Sequence, residues 1–222
     1  MKKFLTVFLL LILAVGLCGF DSDSGDEEDR PFDIDDLTDY QKEFESEEIS
    51  VCSIGKAKTY MDYRAVTATG SRQYWYIHNF MTVDPETGFL YDEDGFIGVA
   101  LGSFYGVIGD RYYFTLDSGI VLPLVKVEEK ADIDTDASGC YHYDDGSVIE
   151  FVIDKNAANS YFGYYENGLV LSGNYNNYEL FRGSIASVEK VMDVRKEDYV
   201  TFEKEDDVSF PETDIFDYAS GY

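Results

Sequence analysis

The residues whose types could do chemistry gather in one acidic stretch, Glu128 to Asp144, and in the strand-like run that follows it. Asp132-Ile-Asp-Thr-Asp sets carboxylates at Asp132, Asp134 and Asp136. His142, one of only two histidines, lies six residues beyond, and Glu150 interrupts an apolar run. A carboxylic acid held in a cleft with a raised pKa can protonate a glycosidic oxygen. Asp132, Asp134 and Glu150 are therefore the candidate catalytic carboxylates, with His142 a candidate substrate contact. The same alternation resembles the start of a calcium loop, where oxygen ligands collect around a hard cation. An EF-hand beginning at Asp132 would need glycine and glutamate where the chain has Ala137 and Tyr143, so that motif is rejected. A looser calcium site using Asp144 or Asp145 stays open. Cys140 and His142 are too few for zinc. As near neighbours they offer no third group to orient a nucleophile. The plain alternative is a solvated acidic loop over the mouth of the fold. No metal or other cofactor is implied, and no phosphate loop, dinucleotide fingerprint or hydrolase serine elbow is present.

The elements that must position these groups read as strands. Arg111 to Leu116 alternates, with Tyr112, Phe114 and Leu116 on one face and Tyr113 on the other. Ile120 to Val127 is apolar on both faces, as in a strand covered on both sides. Pro123 cannot donate to a ladder, so that strand must meet an edge or a bulge there. Val148 to Ile153 puts Ile149, Phe151 and Ile153 opposite Val148, Glu150 and Val152. Ser184 to Val191 reads as the last strand, with Ile185 on the face opposite Val188. Earlier in the chain, Gln73 to Val83 reads as an aromatic strand with Tyr74, Tyr76, His78 and Phe80 on one face. Tyr74 and Tyr76 are candidate platforms for sugar rings, the alternative being a cross-strand ladder or core.

Val99-Ala-Leu-Gly-Ser-Phe-Tyr-Gly, the Gly109-Asp110 pair, the alternating strand, Asp117-Ser-Gly119 and Asp145-Gly-Ser-Val-Ile-Glu-Phe together carry a resemblance. They look like double-psi β-barrel domains of the rare lipoprotein A-like, expansin-like and 3D cell-wall proteins. They also resemble a group of uncharacterised secreted Gram-positive proteins with the same opening. The resemblance spans roughly Val99 to Val191. It implies a small six-stranded double-psi-like β-barrel. It also implies an aspartate just after the second strand in the cell-wall enzymes; here Val127-Glu128-Glu129-Lys130-Ala131-Asp132 offers a glutamate or Asp132, a departure from that pattern.

The ends of the chain set its destination. Lys2 and Lys3 precede an apolar run, Phe4 to Leu17, shorter than the ~20 residues that span a bilayer. Residues 1–19 are therefore expected to be a signal peptide or a lipoprotein signal. Ala14-Val-Gly16 offers ordinary cleavage; Val15-Gly-Leu-Cys18 offers lipidation of Cys18. Residues 20–50 read as an acidic tether whose Leu37, Tyr40 and Phe44 recur at helical spacing. Residues 51–98 read as an N-terminal extension with extended strands, 99–191 as the barrel, and 192–222 as an acidic tail. Both acidic ends are expected to be disordered. Once Cys18 is removed or lipidated, Cys52 and Cys140 remain. An even count in an exported chain predicts a disulfide, with two free buried thiols as the alternative. The bridge would close about ninety residues, worth about 4 kcal/mol on a chain-entropy model.

Charge narrows the partners. The formal net charge is −27, which disfavours nucleic acid and close docking on anionic lipid. Membrane contact is expected only through the N-terminal anchor. The expectation is an exported, extracellular or cell-surface protein. It would act as a non-catalytic barrel module for cell-wall glycan or for a neutral or cationic protein. The alternative is a glycan-cleaving enzyme, similar to lytic transglycosylases, using an acidic-loop carboxylate.

Overall fold

A computed structural model describes residues 33–52, 55–162 and 174–192. The fold is mainly β, built on one mixed sheet that has nine strands among the described residues. They are β1 (Ser46–Ile49), β2 (Thr59–Asp62), β3 (Thr82–Val83), β4 (Leu90–Tyr91), β5 (Ile97–Leu101), β6 (Arg111–Leu116), β7 (Val121–Glu129), β8 (Glu150–Ile153) and β9 (Ile185–Val191). Among the described residues two α-helices join them, α1 (Arg72–Phe80) and α2 (Lys155–Phe162), with several short 3-10 turns. The main order is β1-β9-β6-β7-β5-β4-β3, while β8 also pairs with β5 and carries β2 on its other edge. The β5–β7 and β2–β8 pairs are parallel.

Side-chain alternation gives the sheet two packed faces. Tyr112, Phe114, Leu122, Leu124, Val99, Leu101, Phe151 and Ile153 fill the first, with Phe89, Tyr175 and Phe181 completing an aromatic cluster around Phe151. Ala100, Tyr113, Val125, Val127, Val152 and Val191 lie on the second, under Tyr76 and Ile77 of α1. Pro123 pairs with Tyr113, one residue before β5 pairing begins at Leu124. Its missing N–H therefore falls where β5 does not yet bond.

Several expectations need correction. Gln73 to Val83 is mostly helix, not strand. Ser71 caps it, its side-chain oxygen accepting from the Tyr74 amide at 3.1 Å. Tyr76, Ile77 and Phe80 then share the sheet-facing side at helical spacing. The alternation of aromatics fits both periods, and the cap decides between them. Residues 33–49 are not a bare tether. Ile34 and Leu37 are buried in the first core, and β1 pairs with β9. The sheet accordingly starts well before residue 99. In β9 the register slips by one at Ala186, so Ile185 and Val188 return to the same core face instead of opposite ones. The expected signal, Cys18 and the tail beyond Met192 lie outside the described residues.

Candidate functional site

One cross-strand row builds the floor of a cleft. Ala100 of β5 pairs with Glu128 of β7 on one side and Glu150 of β8 on the other. Glu150 pairs in turn with Thr59 of β2. Residues paired across a sheet point the same way, so Glu128, Ala100, Glu150 and Thr59 stand in line, with the small Ala100 leaving space between two carboxyl groups. The order of the row follows from a bulge. Val99 pairs with Lys126 but Ala100 pairs with Glu128, so Val127 is an extra residue in β7. Were the register unbroken, Val127 would pair with Ala100 and Glu128 would fall opposite Leu101, whose side chain lies in the closed core. Bulges re-aim side chains in this way beside functional sites.

Over the row lies a cleft of about 380 Å³, lined also by Met61, Glu129, Lys130, Ala131, Asp134, His142 and Asp145. Its electrostatics centre on Glu128. Burial first, and then the neighbouring carboxylates Glu129 and Glu150, push the Glu128 carboxyl up to about 7; Lys126 and the Glu129 amide oppose that only in part. Its Oε2 is buried with no hydrogen-bond partner among the described residues. Lys130 is buried, its Nζ donating to the Ser147 carbonyl at 3.2 Å and standing 3.9 Å from Glu150. Burial lowers the Lys130 pKa, against the pull of Glu150 and Asp145. Burial alone would raise the Asp145 carboxyl, but hydrogen bonds from Ser147 and the nearby His142 and Lys130 bring it below its ordinary value.

The acidic loop forms an anchored arch over this cleft. The Tyr143 amide donates to Asp134 O at 2.9 Å and the Asp136 amide to Tyr141 O at 3.0 Å. Asp136 Oδ1 accepts the Cys140 and Tyr141 amides, and Oδ2 accepts from Ser138. The Ser138 hydroxyl, with those amides, holds the Asp136 carboxyl well below the carboxylate range. Cys140 is bonded to Cys52, with Cα atoms 5.9 Å apart. The Phe104 amide donates to Gly139 O at 3.1 Å, and the Ser103 hydroxyl to Asp132 Oδ1 at 2.9 Å.

Of the residues singled out from sequence, Asp134, His142 and Glu150 meet in the cleft. His142 Nδ1 stands 3.5 Å from Asp145 Oδ1. Asp132 does not line the cleft; it is exposed and bonded to Ser103. Tyr76 is 6% exposed beneath α1 and offers no sugar platform. Tyr74 lies elsewhere on that helix, its ring 4.0 Å from His78. Glu128 was the residue missed as a named site. Its signal was a carboxylate near the end of an apolar strand, but the bulge that aims it is not written in any residue pattern.

No family model, curated protein or solved structure matches the chain. Among the described residues no three His, Cys, Asp or Glu side chains are placed to share a metal ion, and no helix is long and apolar enough to cross a membrane. The arrangement can do two things chemically: bind a group that donates hydrogen bonds or carries positive charge, and release a proton near neutral pH from Glu128.

Proposed function

We propose that this is an exported cell-envelope protein whose β domain binds cell-wall glycan or a protein partner in the Glu128–Glu150 cleft. The carrying observation is the in-register row, which lines up two carboxyl groups around Ala100 on the floor of a concave site. Such a site, polar and held on rigid strands, fits recognition. The charged and then apolar start of the chain supports export. Our finer reading of the sheet is a six-stranded double-psi barrel. The chain from β7 to β8 passes over β5, so antiparallel β7 and β8 flank a strand already in place, and that crossing supports the reading.

A second reading, cleavage of a wall glycan, is favoured by the placing of Glu128 in the cleft beside Glu150, where burial raises its carboxyl to about 7. It would serve as the acid that protonates the leaving oxygen. One experiment addresses both. The chain lacking Met1–Gly19 is incubated with purified cell wall, and bound protein and released fragments are measured, the fragments by mass. Binding lost in Glu128→Gln together with Glu150→Gln supports the cleft as the site. Release lost in Glu128→Gln with binding intact makes the protein an enzyme. Binding unchanged in the double variant contradicts the proposal.

A further inference from the structure

The arch beside the cleft presents apolar side chains to water. Ile133 is 89% exposed and Tyr143 73%. Val51 and Phe104 are exposed as well; Val51 adjoins Cys52, bonded to Cys140, and the Phe104 amide is bonded to Gly139. Four of the six large exposed apolar residues among the described ones thus sit on the arch or on segments fastened to it. Scattered apolar residues need no explanation, but a concentration of them marks an interaction surface.

This one is preorganised. The disulfide, the Asp136 cap and the Ser103–Asp132 bond hold the arch in place, so little order is lost when a partner docks. Directly below it, the cleft carries Glu128, Glu129, Asp134, Asp145 and Glu150. Its lysine is already engaged, Lys130 Nζ donating to the Ser147 carbonyl, and the His142 ring stands beside Asp145. Among the described residues no donor reaches Glu128 Oε2.

We infer that the arch and cleft together dock an extended basic peptide segment, an apolar side chain resting on Ile133 and Tyr143 and a lysine ammonium entering the cleft between Glu128 and Glu150. The inference rests on the binding reading above and names its partner class. An ammonium group supplies both the charge and the donor that the cleft lacks. An uncharged glycan supplies donors only, and an acidic partner is repelled by the −27 net charge.

The test uses the chain lacking Met1–Gly19 and three fluorescent probes. These are the peptide acetyl-Ala-Leu-Lys-Leu-Lys-Ala-amide, the same peptide with norleucine for both lysines, and an N-acetylglucosamine tetramer. Anisotropy should show the lysine peptide binding at least about tenfold more tightly than the norleucine peptide, a preference that shrinks as salt is raised. The double variant Ile133→Ser, Tyr143→Ser changes only exposed side chains. It should retain the wild-type melting temperature and bind the lysine peptide about fivefold or more weakly. Equal binding of the two peptides, or wild-type affinity in the double variant, overturns the inference. Binding of the tetramer alone also overturns it while leaving the cleft-binding reading intact. Binding of none of the three counts against both.

Discussion

Glu128 sits one bulge away from the closed core, and that single extra residue decides its chemistry. On the cleft face it is buried enough for its carboxyl to be raised to about 7. A carboxyl raised in the folded state binds its proton more tightly there than in the unfolded chain. It therefore contributes stability that is full below its ordinary value of 4.5 and is lost as pH rises through about 7. Glu128→Gln should remove this dependence. The fall in melting temperature from pH 4.5 to about 7 should be shallower in the variant than in wild type. Identical slopes would show that Glu128 is not perturbed. Lys58 gives the opposite sign. It is 2% exposed, with Nζ donating to Gly183 O at 2.8 Å, and burial lowers it to about 8. The folded state releases that proton first, so stability should rise with pH between about 8 and the ordinary lysine value of 10.5. Lys58→Met should lack that rise in denaturant melts. At this scale the sequence was partly legible. Asp134, His142 and Glu150 were found because a loop and the strand after it stay close in space. Glu128 was not, because a register shift leaves no mark on residue type. Tyr76 was misplaced because alternating aromatics satisfy a helix as readily as a strand.

The arch is the element on which the site depends, and two of its fastenings can be removed singly. The disulfide spans 88 residues of sequence. Removing it with Cys52→Ser and Cys140→Ser should cost about 4 kcal/mol in denaturant unfolding, and adding reductant to wild type should reproduce the loss. Stability unchanged by reduction would contradict a bonded pair. The second contact is the close approach of Gly102 to the Gly139 carbonyl. A Cβ at residue 102 would collide with that backbone oxygen. Gly102→Ala must push the arch off the end of β5, and we expect a loss of about 2 kcal/mol. Because the clash is with backbone, no side-chain rotamer can relieve it. Binding in the cleft should weaken in the same variant, since Asp134 and His142 move with the arch. The strands beneath were readable from period-two alternation and glycine turns. The arch's fastening was readable only in part: the cysteine count predicted the bridge, but nothing in the sequence shows Gly139 lying against Gly102.

For the whole molecule, the mainly β class followed from short alternating runs, and it holds in a sheet that begins earlier than its most regular stretch. Ile34 and Leu37 show why the boundary was hard to see. Two apolar residues in an acidic segment are a weak signal, yet both reach the first core. The parallel β5–β7 and β2–β8 pairs were equally hidden, since pairing partners distant in sequence are chosen by the packed fold, not by local pattern. That non-local pairing brings β2, β5, β7 and β8 side by side, and only their adjacency produces the row of Glu128, Ala100, Glu150 and Thr59. That row holds a carboxylic acid in a cleft, its pKa raised to about 7. The most direct measurement is the pH titration of the Glu128 side-chain carboxyl by carbon-13 NMR, assigned by its loss in Glu128→Gln. A midpoint of about 7 is expected, displaced downward by a bound cation. A midpoint at the ordinary glutamate value would contradict it.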